Sequence, residues 1–354
     1  MTAKYDDKAL NGMRRAKDPL ADSVIASFFP HDKARLNEVL SGFSNNEKLI
    51  NSQSEESLQL LIDDIKVHYL RLNKRKLAEG RKLFDKHASD CMLLLGFLSL
   101  PYCYAASNGA EVLVRSERIM NEPEKRLSET AQFVFDVMAK DAFELQGQGL
   151  ITIIKVRLMH AAVRWYIQQS GDWNEEVFGA PVNQEDMAGT NLSFSLMVIR
   201  GLRRLGRLVQ AQEAFAYIDY WNQVGKMMGL RQEFLPKDNK ESFLLEKRIR
   251  SRQFKQSEAG VKLAKSLFSY FNQVSKGSPL EGKVGPFANF LLGAQVCQIL
   301  DIRTPESEQL LFKPYQVFMQ FSNQIINKAD SYGNAYLNYK KQIEGVELNK
   351  GYAL

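Results

Sequence analysis

The stretch 149-GLITIIKVRLMHAAVRWYI-167 decides the fold. Wound as a helix, it spreads Leu150, Ile151, Ile153, Ile154, Val156, Leu158, Met159, Val163, Trp165, Tyr166 and Ile167 over every side. A helix apolar all round is buried in a large protein or in a membrane. Within it Arg157, His160 and Arg164 recur at offsets 0, +3 and +7, on one narrow stripe, with Lys155 opposite. Two cations and an imidazole in a buried stripe are costly unless something pairs with them. The chain must therefore wrap this helix in others and bring a partner to that stripe.

Outward from that helix the periodicity remains helical. Helices are expected around Ala34–Leu40, Glu56–Leu72 and Lys76–Phe84 running on past Cys91, and over SETAQFVFDVMAK from Ser128. A turn with a short helix or extended piece is expected over NGAEVLVRSERIMNEP, ending at Pro123. A loop and one long helix should follow from Gly171, with Asn183 and Asp186 resembling a capping box. Further helices are expected over Gln212–Met228, Glu241–Lys255, Glu258–Ser275, Phe287–Leu300 and Ser307–Lys328. No alternating strand and no internal repeat interrupts this pattern. The fold class is all-α: one large helical domain over 26–340, a polar N-terminal arm over 1–25 and a C-terminal tail over 341–354.

Bulk composition narrows the function classes. The net charge is +6, but acids and bases alternate along most of the chain. The basic clusters at Arg71–Lys82 and Glu246–Lys255 read as solvated helix faces, with contact to an anionic membrane surface as the sharper reading. No aromatic interleaving or finger spacing points to nucleic acid. Three scattered cysteines, Cys91, Cys103 and Cys297, form no metal-binding spacing and suit a reducing compartment. The N-terminus lacks the apolar core of a signal peptide, so a cytoplasmic location is expected. The uncharged run CMLLLGFLSLPYCYAASNGA, broken by Pro101, reads as buried core in preference to a lipid-facing hairpin.

Polar residues embedded in apolar helices recur in three places: Arg157, His160 and Arg164; Arg126, Glu129 and Thr130 in RLSET; and Asp186, Thr190 and Phe194 in NQEDMAGTNLSFS. Three such helices can share one buried pocket. Neither HExxH nor a paired histidine accompanies His160, so a bare zinc or di-iron site lacks its other ligands. Haem needs one protein ligand, an apolar slot and cations for its propionates. His160, flanked by Arg157 and Arg164, supplies that set. The bland reading is a hydrogen-bonded core histidine, and the residues alone leave both open.

RLMHAAVR resembles the signature around the haem-ligating histidine of the latex clearing proteins, rubber oxygenases grouped with the MpaB-like oxygenases. The resemblance extends to RLSET, to PVNQEDMAGTNLSFS and to the interval from Arg126 to His160, and covers about residues 35–300. It implies an all-α haem b protein with His160 as the proximal iron ligand and Arg164 nearby. It also implies Arg126 and Thr130 on the distal side and Asp186 and Thr190 at the pocket. Where the latex clearing proteins carry a distal lysine, this chain has Glu129. Glu111 lies near the family's catalytic glutamate.

On that resemblance the chain is expected to be a haem-dependent oxygenase. It would use dioxygen on an apolar unsaturated chain, isoprenoid or lipid, with Arg126, Glu129, Thr130 and Glu111 as catalytic candidates. The alternatives are a peroxidase-like haem enzyme and a non-enzymatic haem, dioxygen or lipid-binding protein.

Overall fold

The stretch from Gly149 is one helix, Gly149–Gln169, in which every residue from Gly149 to Met159 is buried. The computed structural model describes residues 4–116, 123–303 and 331–344. In chain order its helices begin with α1 (Asp7–Arg15), α2 (Pro19–Phe28), α3 (Lys33–Gly42), α4 (Asn46–Ile50), α5 (Glu56–Leu70) and α6 (Lys74–Leu94). Next come α7 (Leu100–Tyr104), α8 (Ser107–Arg115), α9 (Pro123–Met138), α10 (Gly149–Gln169), α11 (Glu175–Phe178), α12 (Gln184–Phe194) and α13 (Leu196–Arg204). The last are α14 (Ala211–Met227), α15 (Asn239–Gln253), α16 (Glu258–Val274), α17 (Val284–Leu292), α18 (Ala294–Ile299) and α19 (Ser331–Gln342). Among the described residues there is no strand, only a single antiparallel bridge between Ala106 and Phe254. The all-α class is what the sequence led us to expect.

The helices start where a short polar side chain can satisfy an orphan amide. Asp6, Asp18, Asp32, Asn45, Asn73, Asn183, Asp238 and Ser257 each accept a hydrogen bond from a backbone N–H in the first turn. At Asn183 the box closes between side chains: its amide nitrogen donates to Asp186 Oδ2 at 2.7 Å.

Helix α10 packs against α2, α4, α5, α8, α9 and α14, which accounts for its lack of a polar face. The run after Cys91 is core, as expected. It passes through a π-helical turn over Leu95–Ser99 into Pro101, and Phe97 stacks on Phe271 with ring centroids 4.1 Å apart. Among the described residues no helix is long and apolar enough to cross a membrane.

Three expectations need correction. In place of the expected polar arm over 1–25, the described residues from 4 onward form two packed helices, α1 and α2, in which Leu10, Met13, Ala21, Val24 and Ile25 are fully buried. Their apolar residues fall at helical spacing between charges, which masked a buried stripe. The long helix after Asn183 breaks at Ser195, whose φ of −112° and ψ of −78° end α12 and begin α13. The helix expected over Phe287–Leu300 breaks at Gly293, where φ of +84° requires glycine. The expected helix over 307–328 lies outside the described residues. So does 345–354 of the expected tail, whose first residues belong to the end of α19.

Candidate functional site

A cavity of about 530 Å³ opens between α10 and helices α7, α8, α9, α12, α14 and α15. Helix α10 presents Val156, Met159, His160, Ala162, Val163, Tyr166 and Ile167 to it. At ~100° per residue these seven share one side, with His160 at its edge, and Arg157 and Arg164 lie roughly 60° and 40° further round. That small angle sends the imidazole to the cavity and both guanidiniums into the protein behind it.

The partners of the two arginines are aspartates. Arg157 donates from Nε and Nη2 to Asp18 at 2.6 and 3.0 Å, and from Nη1 to Asp64 at 2.6 Å and to the Met227 carbonyl at 3.2 Å. Arg164 donates from Nε to Asp22 at 2.6 Å and from Nη1 to the Val182 carbonyl at 3.2 Å. Neither lines the cavity. The expectation that this pair would neutralise the propionates of a cofactor is therefore corrected: their charge is spent on α2 and α5.

His160 has a different environment. Burial, then the nearby charges of Arg164 and Arg126, push its pKa down to about 3, so the ring is neutral at pH 7. Its Nδ1 is buried and hydrogen-bonded to nothing among the described residues. The ring's remaining exposure is toward the cavity it lines. A neutral imidazole on an apolar wall is a ligand with an unshared electron pair. Among the described residues no three His, Cys, Asp or Glu side chains gather to hold a metal ion. The donor set thus fits a group that asks one ligand of the protein, as haem does, better than a bare ion.

Across the cavity, α9 contributes Arg126, Glu129 and Thr130. Arg126 Nη1 reaches Glu129 Oε2 at 3.4 Å and lies 3.9 Å from the sulfur of Met159, one residue before His160. Glu129 is only 7% exposed, so its carboxylate stands inside the protein with a guanidinium beside it. The Thr130 hydroxyl donates to the Arg126 carbonyl at 2.9 Å and keeps its lone pairs for an incoming donor. From α12, Asp186 and Thr190 also line the cavity. Asp186 is held by Arg14 Nη1 at 3.0 Å and by Asn183, and Thr190 donates to the Asp186 carbonyl at 2.8 Å. Both are thus parts of the wall, with Asp186 already neutralised from α1. Glu111 does not line the cavity, although Val112 and Leu113 beside it do. Its expected catalytic place is corrected by the orientation of α8.

Sequence reasoning overlooked a cluster on α15. Glu246, 3% exposed, lines the cavity, accepts from Tyr102 and from Arg250 Nε at 2.9 Å, and forms an ion pair with Arg200 Nη1 at 2.8 Å. The basic run EKRIRSRQFK reads as a solvated face. The available signal was Glu246 next to Leu245 and three residues before Ile249, both buried.

Comparison with known proteins places this architecture. Residues 86–324 match the family model of the ER-bound oxygenase mpaB/B'/rubber oxygenase catalytic domain. A rubber oxygenase from Streptomyces sp. (strain K30) is 26% identical over 206 residues, 57% of this chain and 50% of that protein. The chain thus aligns with about half the length of that curated relative. The structure of a latex clearing protein in its closed state superposes with a TM-score of 0.74 at 20% identity, covering 96% of this chain and 92% of the other. That likeness shows the shared helical fold. With the family model spanning most of its length, the chain belongs to the oxygenase family of the mpaB/B' and rubber oxygenase catalytic domains.

Proposed function

We propose that this protein is a haem-dependent oxygenase acting on an apolar unsaturated chain, an isoprenoid or a lipid, by oxidation or cleavage of a carbon–carbon double bond. The observation that carries the reading is His160: a buried, neutral imidazole at the edge of an otherwise apolar helix face, lining a cavity in the range usual for ligand sites. Family membership adds the oxygenase class. The three free cysteines accord with action in the reducing cytoplasm.

In this reading His160 holds the iron, and its neutral state means that no proton has to leave before it does so. Haem, when bound, supplies dioxygen binding and the redox chemistry. The chain's own residues set the surroundings. Phe133, Val163, Leu192, Phe194 and Met197 give the cavity apolar walls that exclude water and receive a hydrocarbon chain. Arg126 brings a positive charge to the cavity wall, which would stabilise negative charge developing inside the cavity. Glu129 is the group in this cavity suited to holding and moving a proton, at a carboxylate buried beside that guanidinium.

The test is spectroscopic first. Protein purified after haem supplementation should show a strong Soret band, and His160→Ala should lose it while remaining folded by circular dichroism. Incubation with squalene in air should then yield carbonyl products, which anaerobic samples lack. A wild-type preparation that stays colourless overturns the haem reading. A coloured protein that gives no oxygen-dependent product from squalene or other unsaturated chains overturns the oxygenase reading.

A further inference from the structure

The cavity has a second polar region that the oxygenase reading leaves unused. Tyr102 on α7 and Glu246 and Arg250 on α15 line it. Arg200, on α13, reaches the same carboxylate at 2.8 Å, and Arg250 reaches it at 2.9 Å. Among the described residues, Arg204, one turn beyond Arg200, donates to backbone carbonyls, those of Phe290 and Leu291. Two guanidiniums therefore share a single carboxylate, with the third near Arg200 and Tyr102, and among the described residues none of the three pairs with any other acid. Two positive charges remain unbalanced.

Their surroundings join the protein interior to its surface. Glu246 is buried at 3% exposure, whereas Arg204 is exposed. Partial burial and the neighbouring Arg200 both weaken the hold of Arg204 on its proton. Arg200 lies over the ring of Phe243, 5.5 Å from its centroid, which confines its guanidinium. The Arg200 and Arg250 side chains are 29% and 37% exposed, so this end of the cavity communicates with solvent. An anion placed among them would gain planar, charge-assisted hydrogen bonds from forks already held in place, Arg200 and Arg250 by Glu246 and Arg204 by the Phe290 and Leu291 carbonyls.

We propose that Arg200, Arg204 and Arg250 form a headgroup site. It binds the carboxylate or phosphate of an amphiphilic chain whose apolar part lies in the cavity. This rests on the reading of the cavity as a site for an apolar chain and narrows it: the substrate is an unsaturated chain with an anionic end, not a neutral hydrocarbon. Glu246, with Tyr102 hydrogen-bonded to it, serves as the scaffold that orients Arg200 and Arg250.

Isothermal titration of the haem-loaded protein with farnesoic acid, farnesyl diphosphate and farnesol tests this. These probes share one tail and differ in the head. The two anions should bind at least tenfold more tightly than the alcohol. Arg204→Gln removes one charge without stranding Glu246 and keeps a donor for the carbonyls. It should cut the anion affinities about tenfold and leave farnesol unchanged, as should Arg250→Gln. Inorganic phosphate at millimolar concentration should compete weakly with the diphosphate and not with farnesol. Equal binding of all three probes overturns the headgroup site while leaving the apolar-chain reading intact. A loss of farnesol affinity matching that of the anions in both variants also overturns it, because the arginines would then be structural only. Failure of all three probes to bind overturns the apolar-chain reading itself, and this site with it.

Discussion

Arg157 offers the sharpest test of how this site is built. Its guanidinium makes four hydrogen bonds, and Asp18, with a side chain 9% exposed, receives two of them at 2.6 and 3.0 Å. Asp64 is 30% exposed and can turn to water, so the penalty of losing the arginine falls on Asp18. Besides Arg157, the hydrogen-bond partner of Asp18 among the described residues is the Ala21 amide of the α2 cap, at 3.4 Å. Removing one member of a buried pair costs about 3–5 kcal/mol, because the charge left behind is neither solvated nor paired. Arg157→Met preserves most of the volume and should lose that amount in urea unfolding with an unchanged m-value. Adding Asp18→Asn keeps the cap and removes the stranded charge. The double variant should recover to within about 1–2 kcal/mol of wild type, the residue of an imperfectly satisfied amide. Both variants, where folded, should bind haem as the parent does. A single variant that loses under ~1 kcal/mol, or one that stays stable yet loses its Soret band, would falsify the assignment of Arg157 to the fold and return it to the cofactor.

Two further outcomes follow from individual residues. The pKa of His160 is about 3 in the folded chain against about 6.5 unfolded, so the unfolded state binds the extra proton between those values. Its contribution to haem-free stability is therefore complete above ~6.5 and is lost as the pH falls towards ~3, by on the order of 4 kcal/mol. His160→Leu should flatten that part of the pH–stability profile measured by urea unfolding, and an unchanged slope would place the ring in contact with water. A Cβ at Gly80 would stand 2.5 Å from the carbonyl oxygen of Ala216 and 2.8 Å from the Tyr220 Cβ, where α6 crosses α14. Helix propensity alone forecasts a gain of about 1 kcal/mol for Gly80→Ala, whereas overpacking costs about 1–3 kcal/mol or more. Thermal unfolding should show net destabilisation, and a raised Tm would mean that the two helices are free to part.

What the sequence disclosed depended on how much of the decision was local. A run apolar on every side settles burial by itself, and α10 is where the pattern places it. The embedded polar residues marked three walls of one cavity, since His160, Arg126, Glu129, Thr130, Asp186 and Thr190 all line it. The spacing of Arg157, His160 and Arg164 did not show which way each side chain points. A stripe about 60° wide can straddle the boundary between cavity and core, and only the acids that α2 and α5 bring there decide the matter. Glu111 fails for a similar reason: the register of α8 against its neighbours cannot be read from a nine-residue helix alone. Glu246 escaped notice because charges flank it in sequence, although its own side chain is buried.

The ion pairs also bear on what constitutes the folding unit. The family match begins at residue 86, yet the acids that neutralise Arg157 and Arg164 are Asp18, Asp22 and Asp64, all before that point. The cation paired with Asp186 on the cavity helix α12 is Arg14, also before it, and Arg14 shares Glu185 with Arg252. A chain confined to the matched segment would bury two guanidiniums and two carboxylates whose partners here include these N-terminal residues. It would also expose the faces of α10 and α12 that α1 and α2 cover. Sequence similarity therefore marks where the residues of the cavity are concentrated, while the electrostatics extend the cooperative unit to the first helix. The N-terminal helices belong to the site in that sense: none of their described residues lines the cavity, but they fix the helices that carry His160 and Asp186.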